Sequence, residues 1–181
     1  MKNKNIVAIV QARLGSSRFR KKVLKKINQS TVIEHLLSRL NKSKTVKKII
    51  VATTTSNLDD ELAAFLKKIN QAYYRGDEED VLSRFYFAAK ENDAEIVLRI
   101  TGDCPLIDPE IVDKCVNSFL KRNIDYVSNI DPPTFPDGMD VEVFKFSALE
   151  KSFFEANEPF EREHVTPVSY THLTLPTTTL V

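Results

Sequence analysis

Short apolar runs and helical stripes take turns along this chain, and that alternation constrains its fold more than any other feature. Ile6-Val-Ala-Ile-Val10, rich in β-branched residues and closed by polar Gln11, has the character of a strand buried on both faces. Thr31 with Glu34 three positions on forms a capping box, after which Val32, Ile33, Leu36, Leu37 and Leu40 recur at helical spacing. Lys48-Ile-Ile-Val-Ala52 reads as a second strand. Leu58, Leu62, Phe65, Leu66 and Ile69 mark a second helix, with Asp59, Asp60 and Glu61 favourably placed in its first turn. Further strands are expected at 72–74, 95–100, 125–128 and 141–144, and further helices at 79–90 and from Pro109, capped by Asp108, to about Leu120. Parallel neighbours need crossover connections, so the pattern predicts an α/β three-layer sandwich with a mainly parallel sheet. Ligands of such sheets sit beyond the carboxyl ends of the strands, which directs attention to the loops after Val10, Ala52 and Ile100.

At 181 residues with 42% hydrophobic and 28% charged, the chain has the length and composition of one globular domain. It has no apolar run near the ~20 residues of a membrane span, and its lysine-rich start lacks the apolar core of a secretory signal, so a cytoplasmic location is expected. Cys104 and Cys115 are too few for a disulfide framework or a zinc site. Charge is lopsided. The first fifty residues carry fourteen Lys/Arg against one acid, Glu34, and the remainder twelve against twenty-four. Such asymmetry suits an anionic partner near the start and a cation near the acidic part, although solvated helix faces would produce it too.

Gln11-Ala-Arg-Leu-Gly-Ser-Ser-Arg-Phe-Arg-Lys-Lys22 gathers Arg13, Arg18, Arg20, Lys21 and Lys22 around Gly15-Ser16-Ser17. Small residues let backbone N–H groups approach phosphate oxygens while guanidinium forks and an ammonium neutralise them, which is what a triphosphate requires. A generic basic loop is the competing reading, since the spacing is neither that of a P-loop nor that of a dinucleotide fingerprint. After the strand ending at Ile100, Thr101-Gly-Asp-Cys-Pro-Leu-Ile-Asp108 puts Asp103 where a carboxylate suits Mg2+, or where it merely closes a turn. Pro136-Asp-Gly-Met-Asp140 is a second acidic loop; Asp137 fits an ordinary turn, and Asp140 is the better functional candidate.

Gln-Ala-Arg-x-Gly-Ser-x-Arg followed by Lys-Val-Leu, and Gly-Asp-x-Pro-Leu around Asp103, resemble the cytidylyltransferase superfamily that makes CMP-activated acidic sugars, its spore-coat polysaccharide, SpsF-type branch above all. The resemblance implies a nucleotide-diphospho-sugar transferase fold of GT-A, Rossmann-like type. It assigns nucleotide binding to Gln11, Ala12, Arg13, Gly15, Ser16, Ser17, Arg18, Lys22 and Thr101, and catalysis to Arg13, Arg18, Lys22 and Asp103. Asp103 and Asp140 become metal contacts, with Arg75 and Asp140 toward the sugar. Phe19-Arg20-Lys21 stands where the family has Leu-Pro-Gly, which removes a rigid turn and adds two charges.

The reaction so implied transfers CMP from CTP to an acidic or modified sugar with release of pyrophosphate, Mg2+ assisting, in surface polysaccharide synthesis. Expected partners are CTP and a sugar, with neither nucleic acid nor membrane, and family members often pair as homodimers. A metal-dependent GT-A glycosyltransferase using a finished nucleotide sugar is the first alternative. A nucleic-acid-binding module is the second, disfavoured because aromatic residues are sparse among the N-terminal lysines. The resemblance covers residues 5–167. Residues 1–167 therefore read as a nucleotidyltransferase domain incomplete at its C-terminus, and the uncharged, threonine-rich residues 168–181 as a foreign tail.

Overall fold

The computed structural model describes residues 4–15, 19–122, 124–130 and 132–165, so that Ser16, Ser17, Arg18 and the expected tail at 168–181 lie outside the described residues. Strand β1 (Ile6–Gln11) leads through a 3-10 turn (Lys22–Leu24) to a small hairpin, β2 (Lys26–Ile27) and β3 (Ser30–Thr31). There follow α1 (Val32–Leu40), β4 (Lys48–Thr54), α2 (Asp60–Lys68), β5 (Tyr73–Gly76), α3 (Val81–Lys90), β6 (Ile96–Thr101) and α4 (Pro109–Arg122). The last elements are β7 (Tyr126–Ser128), β8 (Glu142–Lys145), α5 (Phe146–Glu155) and α6 (Pro159–His164).

Six strands form one sheet in the order β5-β4-β1-β6-β8-β7. The pairs β5/β4, β4/β1 and β1/β6 are parallel, and β8 runs antiparallel to both β6 and β7. The chain moves outward from β1 through β4 to β5 and then returns to the far side of β1 as β6. That reversal opens a crevice at the carboxyl ends of β1 and β6, the position at which open α/β sheets take ligands.

Alternation along the strands divides the core into two layers. Ala8 and Val10 of β1 and Leu98 of β6 pack with Leu36 and Leu40 of α1, Leu62 and Leu66 of α2, and Val112 and Val116 of α4. Val7, Ile9 and Val97 face the other way, against Leu82 and Phe85 of α3 and Leu149 of α5. The expected three-layer sandwich is thus observed. The Thr31/Glu34 capping box opens α1 with both reciprocal hydrogen bonds present, and Asp80, accepting from Ser83 N–H, caps an α3 that begins two residues later than its periodicity suggested.

A half-buried clamp holds the first crossover in place. Asp113 on α4 accepts from the Ser43 hydroxyl (2.6 Å), Lys44 N–H (3.0 Å) and the Thr45 hydroxyl (2.7 Å), which fixes the turn between α1 and β4. Burial would raise its carboxyl above the usual value of 3.8, but these hydrogen bonds to the charged form outweigh burial and lower it. A depressed carboxylate stabilises the fold above its unfolded value and loses that contribution as pH falls through its folded value. Asp113→Ala is therefore expected to destabilise the protein at pH 7 by about 1.5–3 kcal/mol, the range for hydrogen bonds to a charged group. The gap to wild type should close below the usual carboxylate range; denaturant melts at pH 7 and pH 3 check this, and a gap independent of pH contradicts it.

Candidate functional site

At the crevice, the segments leaving β1 and β6 start in close contact. Gly102 N–H donates to Gln11 O at 2.8 Å, and a Cβ on Gly102 would lie 2.8 Å from both that oxygen and the Ala12 Cβ. Only glycine fits there. The loops that leave β1 and β6 consequently start side by side, and two side chains eighty-one positions apart meet: the Lys22 ammonium forms an ion pair with the Asp103 carboxylate. Burial pushes the Asp103 carboxyl up, but the hydrogen bond and charge of Lys22, its own backbone N–H and the Thr101 hydroxyl together bring it below its ordinary value. Asp103 is held as an anion.

Beyond this pair opens an acidic cleft of about 380 Å³, lined by Thr101, Asp103, Cys104, Pro105, Leu106, Asp137, Gly138 and Asp140. Here the Asp140 carboxyl is raised, first by burial and then by the charges of Asp137, Glu142 and Asp103. A carboxylate crowded by like charges is short of a cation. Among the described residues no group of three or more His, Cys, Asp or Glu side chains is arranged to hold a metal by itself. Two carboxylates facing one cleft nonetheless fit Mg2+, which keeps several waters and completes its shell with substrate phosphates. Cys104 adds no nucleophile, because burial raises its thiol.

A second cleft of about 420 Å³ lies on the α3/α6 side of β1, lined by Gln11, Arg13, Glu78, Glu79, Val81, Arg99, Pro159, Glu163 and His164. Arg84, 1% exposed, builds one wall by donating to the carbonyls of Asp77 and Glu78. Arg162 holds the opposite wall: it pairs with Asp80, donates to the carbonyls of Phe153 and Ala156, and lies over the Phe153 ring. Arg99 reaches across to the buried Glu142, whose other oxygen accepts from the Tyr126 hydroxyl.

Of the residues assigned from the sequence, Gln11 and Arg13 line this second cleft, Thr101, Asp103 and Asp140 line the acidic one, and Lys22 joins the two loops. Ala12 is buried beneath Gly102, and Gly15 lies beside Glu78 and Leu58. Arg75 lies apart, lining neither cleft; its guanidinium donates to Thr54 O (2.7 Å) and Ser56 O (3.0 Å) and pairs with Asp60 (2.7 Å). Ser16, Ser17 and Arg18 fall outside the described residues. The sequence assigned no role to Arg99, nor to Glu163 and His164 in the stretch Glu161 to Pro167 that also shares the resemblance. The signal for Arg99 was available, since a lone guanidinium inside the apolar run of β6 must find a partner.

A family model described as cytidylyltransferase matches residues 7–180. An uncharacterized protein of Methanocaldococcus jannaschii is 45% identical over 91% of this chain and 67% of its own length. The spore coat polysaccharide biosynthesis protein SpsF of Bacillus subtilis is 32% identical over 90% of this chain and 68% of its own. Among solved structures, a cytidylyltransferase from Leptospira borgpetersenii superposes with a TM-score of 0.87 at 37% identity, covering 93% of this chain and 72% of that one. The chain thus spans about two thirds of the length of these curated relatives.

The crowding of Asp140 has a thermodynamic consequence. A carboxyl raised in the folded state costs stability that builds as pH rises from its unfolded value, the usual 3.8, is complete above its folded value, and vanishes below 3.8, where both states are protonated. Asp140→Asn should therefore melt at a higher temperature than wild type at pH 7 and show a shrinking gain as pH falls toward 4. A variant no more stable than wild type at pH 7 contradicts the like-charge cluster.

Proposed function

This chain belongs to the cytidylyltransferase family, and from that membership we propose that it transfers CMP from CTP to an acidic or otherwise modified sugar, releasing pyrophosphate, in the synthesis of a surface polysaccharide. The sugar class is that of the CMP-sugar synthetases its signature loop resembles, and the polysaccharide setting follows the SpsF relative. No helix among the described residues is long and apolar enough to cross a membrane. A cytoplasmic location, where CTP is available, is part of the proposal.

The observation that carries this reading is the meeting of Lys22 with Asp103 where β1 and β6 end. Basic and acidic loops from distant parts of the chain face one space, and a polyanion escorted by a cation is the ligand such a space serves. In the reaction an acceptor hydroxyl oxygen bonds to the α-phosphorus. The bond from that phosphorus to the bridging oxygen breaks, pyrophosphate leaves with the electron pair, and the hydroxyl proton passes to solvent. Charge on the phosphoryl oxygens is the main obstacle, so positioning and electrostatic stabilisation provide the catalysis.

Arg13 and Lys22 act on the phosphates, with Gln11 and Arg13 beside the nucleoside and Asp140 toward the acceptor. Asp103 and Asp140 would hold Mg2+, which when bound neutralises phosphate charge. No covalent nucleophile is required.

Mixing the protein with CTP, Mg2+ and a panel of acidic sugars, and following pyrophosphate, tests the proposal. Pyrophosphate should appear with CTP and one sugar class. Asp103→Ala should lower its rate at least about a hundredfold, as removal of a transition-state electrostatic group does. Consumption of a finished nucleotide sugar without pyrophosphate release would instead identify a glycosyltransferase.

A further inference from the structure

The basic loop is held from outside. Its first flank ends at Leu14-Gly15 and its second resumes at residues 19–22; Lys21 N–H donates to Leu14 O (3.2 Å), which joins the two. Lys21 has φ 56°, a left-handed conformation that a non-glycine residue keeps only where its surroundings impose it. The imposing groups come from the turn between β4 and α2. Leu14 N–H donates to Asp59 Oδ1 at 2.6 Å, while Asp59 Oδ2 accepts Thr54 N–H (3.2 Å) and the Thr54 hydroxyl. Two residues on, Glu61 forms an ion pair with Lys21.

The turn is braced in its own right. Arg75 of β5 donates to Thr54 O and Ser56 O and pairs with Asp60. Three consecutive acids that open α2 thus each take a different partner: the first flank of the loop, β5, and the second flank. Arg75 on β5, Asp59 in the turn after β4 and Leu14 in the loop after β1 thus belong to three neighbouring strands and the segments that leave them.

We propose that Asp59 is a positioning residue for the nucleotide loop, with Arg75 acting behind it through the β4–α2 turn. The role rests on the cytidylyltransferase reading and deepens it. Asp59 is 1% exposed, and a carboxylate so buried must have its oxygens filled by donors. Two of its three donors come from its own turn, and the third is the amide of Leu14. The neighbours of the two clamped residues are Arg13, before Leu14, and Lys22, after Lys21: the described cations assigned to the phosphates. Fixing the flanks therefore fixes the direction from which both cations approach. Arg75 serves the same end by bracing the turn, rather than by touching the sugar.

Asp59→Asn keeps the shape and removes the charge; Arg75→Lys keeps a cation for Asp60 and loses the guanidinium donation to the turn. For each, CTP affinity by calorimetry, melting temperature and amide hydrogen exchange at Leu14 are compared with wild type. Asp59→Asn should weaken CTP binding at least about tenfold, raise KM for CTP, lower kcat as the two cations lose their alignment, and speed exchange at Leu14. Arg75→Lys should move the same quantities in the same direction by a smaller factor, and it decides the matter if Asp59→Asn does not fold. A drop in melting temperature with CTP affinity and Leu14 exchange unchanged would reduce Asp59 to a structural residue and overturn the proposal. Wild type that fails to bind CTP contradicts the functional reading itself, whereas wild type and both variants binding CTP equally contradicts the positioning role alone.

Discussion

The contact between Gly102 and Gln11 is the constraint on which the site depends. The parallel ladder of β1 and β6 ends on the bond from Gly102 N–H to Gln11 O at 2.8 Å, with no room for a side chain on Gly102. The two loops therefore leave the sheet side by side, and Lys22 and Asp103 meet. Strand order does the rest. With β4 on one side of β1 and β6 on the other, Arg13, Lys22 and Asp103 are delivered from loops at carboxyl ends, whereas Asp140 precedes the antiparallel β8 and α6 adds Glu163 and His164 to the second cleft.

Part of the N-terminal excess of Lys and Arg converges on the site: Lys21 is held by Glu61, Lys22 by Asp103, and Arg13 faces the second cleft, while Lys25, Lys26, Lys42, Lys44, Lys47 and Lys48 are exposed on the surface. On the acidic side, Asp103 has a cation and is depressed, whereas Asp140 is raised, first by burial and then by the charges of Asp137, Glu142 and Asp103. Two carboxylates in one cleft with opposite shifts describe a place where one more positive charge is wanted. A nucleotide arriving with a divalent ion would satisfy Asp140 and at the same time offer Lys22 a phosphate in place of Asp103.

Much of the scaffold was legible in the sequence because it is written in local patterns. Ile6 to Val10 announces a strand covered on both faces, and the Thr31/Glu34 capping box marks the start of α1 to the residue. Asp103 and Lys22 each stood out as candidates within their own loops, though their meeting required the strand order. What remained hidden depends on neighbours across the sheet. Asp59, Asp60 and Glu61 read as acids favoured by a helix N-terminus, a correct but incomplete account, since periodicity cannot say that Leu14, Arg75 and Lys21 lie opposite them. The run Val141 to Phe144 identified a strand but not its direction, and β8 proves antiparallel. Arg162, Glu163 and His164 stand together in the sequence, but their spacing assigns them no role. Their place over the second cleft follows from α6 being clamped to the N-cap of α3.

The most direct test of the central claim is a crystal structure with CTP and Mn2+, the manganese located by its anomalous scattering. The account predicts the triphosphate in the crevice between Arg13 and Lys22, with the metal peak against the carboxylates of Asp103 and Asp140. Nucleotide density on another face of the sheet, or a metal bound away from both carboxylates, would contradict it.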